Sequence, residues 1–239
     1  MPGRRSRAVR LLACQNPSTH GYLWNVMHQV LGPFANLDEA ALRVLAPGGM
    51  LRSFPKGAIL VNEGDATDAL YVLLSGRVKA SVGDEDGAEL VLSTIEAGDY
   101  FGELVLDGGP RSASVMSLEP CRIFIIPHVD VEGLLESNPA FARDIMRKLI
   151  GRVRSLTSKV RDLALKDVFG RFVRFIEEHA IERDGVLVVP ERLTQHEIAV
   201  RIGGSREMVS RIVKELTIGG YISIDSKWIV VHKKLPAKW

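Results

Sequence analysis

Residues Pro139 to Leu165 read PAFARDIMRKLIGRVRSLTSKVRDLAL, and this run sets the plan of the chain. Ala142, Met146, Leu149, Val153, Leu156, Val160 and Leu163 recur at alternating spacings of four and three. That is an apolar seam at the 3.5-residue period of two paired helices. Asn138-Pro139 starts the run, Lys166-Asp167 follows it, and Gly151 is its one weak point. Arg143, Arg147, Lys148, Arg152 and Arg154 flank the seam, which predicts a solvated outer face. A helix facing only its own core needs a wider stripe, so a helix that pairs with a second copy of itself is favoured. The texture is β-rich before this helix and α-rich after it. The predicted architecture is α+β, with a tail and short helix over 1–32, a β domain over 33–138, the dimerisation helix over 139–165 and a second domain over 166–239.

The length of 239 residues suits two ordinary domains. With 46% hydrophobic and 25% charged residues, the balance is globular. The net charge is +2, unevenly spread: residues 166–239 carry 13 Lys/Arg against 10 Asp/Glu, and the rest 18 against 19. A mildly basic C-terminal part permits nucleic-acid binding without demonstrating it. Cys14 and Cys121 lie far apart without metal-ligand spacing. That excludes a disulfide framework, a zinc finger and a cysteine-held iron–sulfur cluster within one chain. No apolar run is long enough to span a membrane. Leu11-Leu12-Ala13-Cys14 looks like a lipoprotein cleavage site, but the apolar core before it is too short and Arg10 interrupts it. With Arg4, Arg5 and Arg7 this reads as a basic tail, and the expected location is the cytoplasm.

An amphipathic helix is predicted over 22–31 and another over 40–45. From there short β-rich runs at 58–61, 69–74, 78–82, 89–95, 113–118 and 122–126 alternate with glycine turns. That spacing predicts a barrel or roll. Inside it lies FGELVLDGGPRSASV, from Phe101 to Val115. Glycines let backbone N–H groups approach an anion closely. The Arg111 fork can bind two phosphate oxygens in parallel, with Ser112 beside it. Glu103, after Gly102, can accept from sugar hydroxyls. The bland alternative, a surface loop with a Glu103–Arg111 ion pair, fits the composition equally well.

Beyond the long helix, Val168, Phe172, Phe175 and Ile176 repeat at helical spacing after Asp167, a fair N-cap. Thr194 followed by Glu197 is a capping box for a short helix with Ile198, Ala199 and Ile202 inside. Gly203-Gly204 makes a turn, Ser205 caps a further helix, and Val209, Ile212, Val213 and Leu216 form its buried stripe. The pattern is a helix-turn-helix. It leaves Arg206, Glu207, Ser210 and Arg211 on the open face, where recognition helices read base edges. Arginine can read both acceptors of guanine and a carboxylate can accept from cytosine. A solvated face with a Glu207–Arg211 pair is the duller alternative. Residues 220–231 predict two strands around a polar turn, a wing. Thr194, Lys227, Lys233 and Lys234 are candidate phosphate contacts.

Gly64-Asp65, Leu70 to Gly76, Gly102-Glu103-Leu104 and Pro110-Arg111-Ser112-Ala113 resemble the cyclic-nucleotide-binding β-roll. Ser205-Arg206-Glu207 with Arg211 resembles the recognition helix of the catabolite activator (cyclic AMP receptor protein) family of bacterial regulators. Glu207, Ser210 and Arg211 also fit the related fumarate-nitrate reductase regulators. The resemblance covers about residues 33–232. It implies a cyclic-nucleotide-binding β-roll, a dimerisation helix and a winged helix-turn-helix. It also implies that Arg111 and Ser112 meet a cyclic phosphate, Glu103 a ribose, and Arg206, Glu207 and Arg211 a TGTGA-type half-site. Two departures stand out. The segment between Glu103 and Arg111 is shorter than usual. Aligned without a gap, Leu156 takes the place of the family's first polar base contact, while Thr157 matches the second. Cyclic AMP is the effector the family implies, with a cyclic dinucleotide as the alternative.

The resemblance thus implies a homodimeric transcription activator on palindromic double-stranded promoter DNA, with RNA polymerase as a further partner. The residues themselves leave activation against repression open. A regulator without a ligand and a pure protein-interaction module are the other readings weighed. An enzyme is not supported: the six histidines are scattered, and no Walker loop, metal-ligand cluster or Gly-x-Ser-x-Gly elbow is present.

Overall fold

The computed structural model describes residues 39–66, 68–183, 185–191, 193–225 and 228–236. The helix read at 22–31, the basic tail, Cys14 and Lys227 lie outside them. The described chain begins with α1 (Glu39–Leu45), followed by eight strands: β1 (Met50–Phe54), β2 (Ile59–Val61), β3 (Ala69–Ser75), β4 (Arg77–Gly83), β5 (Glu89–Glu96), β6 (Tyr100–Phe101), β7 (Ser114–Ser117) and β8 (Cys121–Pro127). They form two four-stranded sheets, ordered β1-β8-β3-β6 and β2-β7-β4-β5. Strand alternation sorts the side chains of β3 between two cores. Leu73, with Ile123 of β8, faces the second sheet, while Leu70 and Val72, with Phe124 and Ile126, face the helices. A sheet covered on both faces explains the unbroken apolar run at 69–74.

The helical layer is α2 (His128–Ser137) and the start of α3 (Pro139–Leu165). Asn138 caps α3 by accepting from the N–H groups of Ala140 (3.1 Å) and Phe141 (3.2 Å), and Pro139 occupies the first turn. Phe141 and Ile145 pack into the roll's outer core. The two faces of α3 differ from the reading above. Leu149 packs against the roll and Ala142 is half-buried, whereas Ile150 is exposed beside Met146, Val153, Leu156, Val160 and Leu163. The exposed apolar face therefore follows Met146, Ile150, Val153, Leu156, Val160 and Leu163, at spacings of three and four, with Thr157 beside Leu156.

The C-terminal domain comprises α4 (Val168–His179), β9 (Ile181–Arg183), β10 (Val186–Val189), α5 (Gln195–Ile202), α6 (Arg206–Ile218), β11 (Ile222–Asp225) and β12 (Trp228–Val231). Its sheet runs β11-β12-β10-β9. Phe172, Ile176, Ile198, Val209, Ile212 and Ile222 meet in one core, so the helices close over the sheet as a winged helix. Asp167 caps α4 through Gly170 N–H at 2.7 Å. Arg171 ties the whole junction together. Its three nitrogens donate to the carbonyls of Ile202 (2.7 Å), Lys166 (2.7 Å) and Gly203 (2.9 Å).

Candidate functional site

The cassette begins where β6 ends. Gly102 has φ 84°, and a Cβ there would lie 2.7 Å from Arg111 Nη1 and 3.0 Å from the Ala69 carbonyl. Only glycine fits that turn. It launches a single 3-10 turn, Glu103–Leu106, which buries Glu103. The chain returns through Gly108-Gly109, with Asp107 Oδ1 accepting from Gly109 N–H at 2.8 Å. It then enters β7 behind Arg111. The short segment between Glu103 and Arg111 is thus closed by one 3-10 turn and two glycines.

Arg111 is only 5% exposed. Its Nη2 donates to the Ala69 carbonyl at 2.9 Å and Nη1 to the Gly102 carbonyl at 3.4 Å, and the guanidinium lies 5.3 Å from the Tyr71 ring centre. Tyr71 in turn stacks on Phe101 at 4.9 Å. Glu103, 3% exposed, pairs with Arg152 of the long helix rather than with Arg111, so the bland ion pair of the sequence reading does not form. Among the described residues, two polar side-chain atoms stay buried without a partner: Arg111 Nε and Glu103 Oε2. Buried polar groups are nearly always bonded, and such exceptions gather at functional sites. Both residues line a cavity of about 60 Å³ together with Gly102, Ser112 and Arg152.

The structure therefore brings Gly102, Glu103, Arg111 and Ser112 together. Thr157 is not among them; it is exposed on the unpartnered face of α3, and Ser158 accepts from Arg174 at 2.9 Å. Arg152 was missed because it was read as part of the solvated flank. The same holds for Lys148, which reaches Asp99 and the Tyr100 carbonyl. Burial pulls the Lys148 pKa down, opposed by Asp99. Spacing could have found both, since Phe141, Ile145, Lys148 and Arg152 follow at 4, 3 and 4 on one helix face.

In the second domain, Thr194 Oγ1 accepts from Glu197 N–H (3.1 Å) and Glu197 returns the bond to Thr194 N–H (2.6 Å). Gly203, at φ 65°, ends α5 in the left-handed region, and its Cβ would meet Leu163 of the long helix at 2.8 Å. Ser205 caps α6 by accepting from Met208 N–H at 3.2 Å. Arg206, Glu207 and Arg211 are exposed and Ser210 is half-buried on the adjoining face. Among the described residues Glu207 and Arg211 form no ion pair. Its own backbone N–H and the Ser205 hydroxyl hold the Glu207 carboxyl below the usual range, so it stays an ionised acceptor.

Comparison with known proteins agrees with this geometry. Residues 51–138 match the model of the cyclic nucleotide-binding domain, and residues 170–234 that of the Crp-like helix-turn-helix domain. The cAMP-activated global transcriptional regulator CRP of Pasteurella multocida is 33% identical over 190 residues, covering 76% of this chain and 90% of that protein. The CRP-like cAMP-activated global transcriptional regulator of Mycobacterium tuberculosis is 29% identical over 205 residues, covering 84% and 92%. Among solved structures, the c-di-GMP responsive global regulator CLP of Xanthomonas campestris superposes with a TM-score of 0.70 at 26% identity, over 80% of this chain and 97% of that one. With a buried arginine and a buried glutamate lining one cavity of its roll and a capped helix-turn-helix beyond, this chain belongs to the CRP/FNR family of transcription regulators.

Proposed function

We propose that the chain acts as a homodimer on palindromic promoter DNA and that cyclic AMP, bound in the roll, is its effector. The observation that carries this is the pair of buried, unpartnered atoms, Arg111 Nε and Glu103 Oε2. A buried cation and a buried carboxylate lining one cavity suit a ligand that is anionic at one end and hydroxylated at the other. Arg111 and Ser112 hold the cyclic phosphate, and Glu103 accepts from the ribose. At about 60 Å³ the cavity is far below the roughly 300 Å³ lower end of small-molecule sites, so it must widen. Arg152, one third exposed and paired with Glu103, links the pocket to the dimerisation helix, and this ion pair is the contact that has to open.

Dimerisation through Met146, Ile150, Val153 and Val160 would place Thr157 at the partner's side of the pocket, where it touches the base. Arg206, Glu207, Ser210 and Arg211 read a TGTGA-type half-site, and Ser205, Thr194 and Lys227 position the helix on phosphates. In this reading the protein works in the bacterial cytoplasm with RNA polymerase as a partner. Isothermal titration tests it: Arg111→Ala should weaken cyclic AMP binding about tenfold or more while the dimer persists. Unchanged affinity would refute the pocket. A second reading, a cyclic dinucleotide as effector, is favoured by Leu156 at a polar contact position and by the c-di-GMP responsive neighbour. Titrating c-di-GMP beside cyclic AMP separates the two.

A further inference from the structure

Within the winged helix, the start of α4 and one side of α6 border an open cavity of about 300 Å³. That size meets the roughly 300 Å³ lower end of small-molecule sites. Helix α6 gives it Met208, Arg211, Ile212 and Glu215, whose spacing puts them on one helix face. Helix α4 gives it Val168 and Phe169, with the capping Asp167 at the edge. Phe169 and Ile212 are buried and Val168 and Met208 half-buried, so the floor is apolar.

The charged side chains of the lining are exposed. Arg211 and Glu215 lie one turn apart on α6, the spacing at which such residues ordinarily pair. Among the described residues, Arg211 has no carboxylate and Glu215 no cationic side chain within 4.0 Å. Asp167 uses one oxygen on the Gly170 N–H at 2.7 Å, and its second oxygen is left over. One cation and two carboxylates thus ring an apolar floor without satisfying each other. A ligand charged with a single sign would leave part of that ring uncompensated. A zwitterion with its two charges on adjoining groups, and an apolar body, answers all of it. We propose that this cavity binds an apolar α-amino acid. Its carboxylate takes the Arg211 guanidinium, and its ammonium sits between Glu215 and the second oxygen of Asp167. Its side chain covers Phe169, Ile212 and their apolar neighbours. Because Arg211 is also one of the proposed base readers, the bound amino acid withdraws it from DNA. That consequence rests on the proposed reading of the α6 face; the binding itself does not.

L-leucine is the probe, added to the full chain. It is expected to raise the melting temperature saturably at millimolar concentration. Isothermal titration, which reads binding whatever the stability of a variant, should show Glu215→Gln weakening it about tenfold or more. Glu215→Asp, which keeps the charge, should retain most of the affinity. Glycine lacks the apolar body and isocaproate lacks the ammonium, so both should bind more weakly; equality of either with leucine would overturn the assigned chemistry. No saturable shift, or binding that Glu215→Gln leaves untouched, would overturn the site. With cyclic AMP present, leucine should also lower the affinity for a palindromic TGTGA-type duplex severalfold; binding without that loss would overturn the link to DNA. Arg211→Ala keeps the two readings apart. If it leaves DNA affinity unchanged, the base-reader assignment is what fails, and the leucine titration still decides the site.

Discussion

Glu191 joins the two domains at the level of single atoms. It accepts both guanidinium nitrogens of Arg201, at 2.8 and 3.0 Å, and meets Arg77 of the roll at 3.4 Å. The Arg201 hydrogen bonds hold its carboxyl below the ordinary 4.5, against an opposing push from burial. A carboxyl with a lowered folded pKa contributes stability above its unfolded value, lost as pH falls through the folded one. Glu191→Gln should therefore cost about 1 kcal/mol near pH 7, the side chain being 31% exposed. The deficit should close as the pH drops below 4.5, and paired melts across that range would check it. At this scale the sequence was legible wherever a residue acts beside its chain neighbours. Gly102, Glu103, Arg111 and Ser112 form a compact motif. Arg152 meets Glu103 across 49 residues and Glu191 meets Arg77 across 114; the helical spacing places Arg152 on the inward face but does not name its partner, and nothing local links Glu191 to Arg77.

The long helix α3 carries two different faces. One begins apolar at Phe141 and Ile145, then turns cationic at Lys148, Arg152 and Lys159 as it passes Asp99, the cassette and the domain junction. The other is the unpartnered apolar strip, with Arg147, Arg154 and Arg161 recurring at one heptad position beside it. The helix holds seven Lys/Arg against two Asp, a net of +5. Two copies side by side repel, and salt screens exposed charges. Dimer affinity should accordingly rise severalfold between about 0.05 and 0.3 M salt, the Debye length shrinking across that range. Analytical ultracentrifugation at both strengths would measure it; a dimer that loosens with salt would contradict it. The seam period was readable in sequence, but not which of Leu149 and Ile150 turns to the roll, because adjacent apolar residues fit either register. Strand β1 and helix α2 were missed as well: MLRSF lacks an apolar alternation, and HVDVEGLLES mixes β-branched residues with a glycine.

For the molecule as a whole, the proposed base readers and the proposed phosphate contact predict different effects on DNA binding. Arg206→Ala should cost about 1–3 kcal/mol and relax base preference, whereas Lys227→Ala should weaken all sequences alike and lower the salt slope by about 1. Binding assays on cognate and scrambled duplexes would distinguish them. Arg171 constrains how the winged helix sits on the end of the rod. One guanidinium holds Lys166, at the tip of α3, to Ile202 and Gly203. Everything from Lys166 onward is thereby welded into one piece, and the sharp bend at Asp167 cannot serve as a joint. Arg174 extends the tie back along the rod, donating to Asp162 at 2.8 Å and Ser158 at 2.9 Å, so the last turn of α3 is held as well. Rod end and winged helix therefore turn together, and the exposed face of α6 is aimed by the rod rather than by a joint of its own.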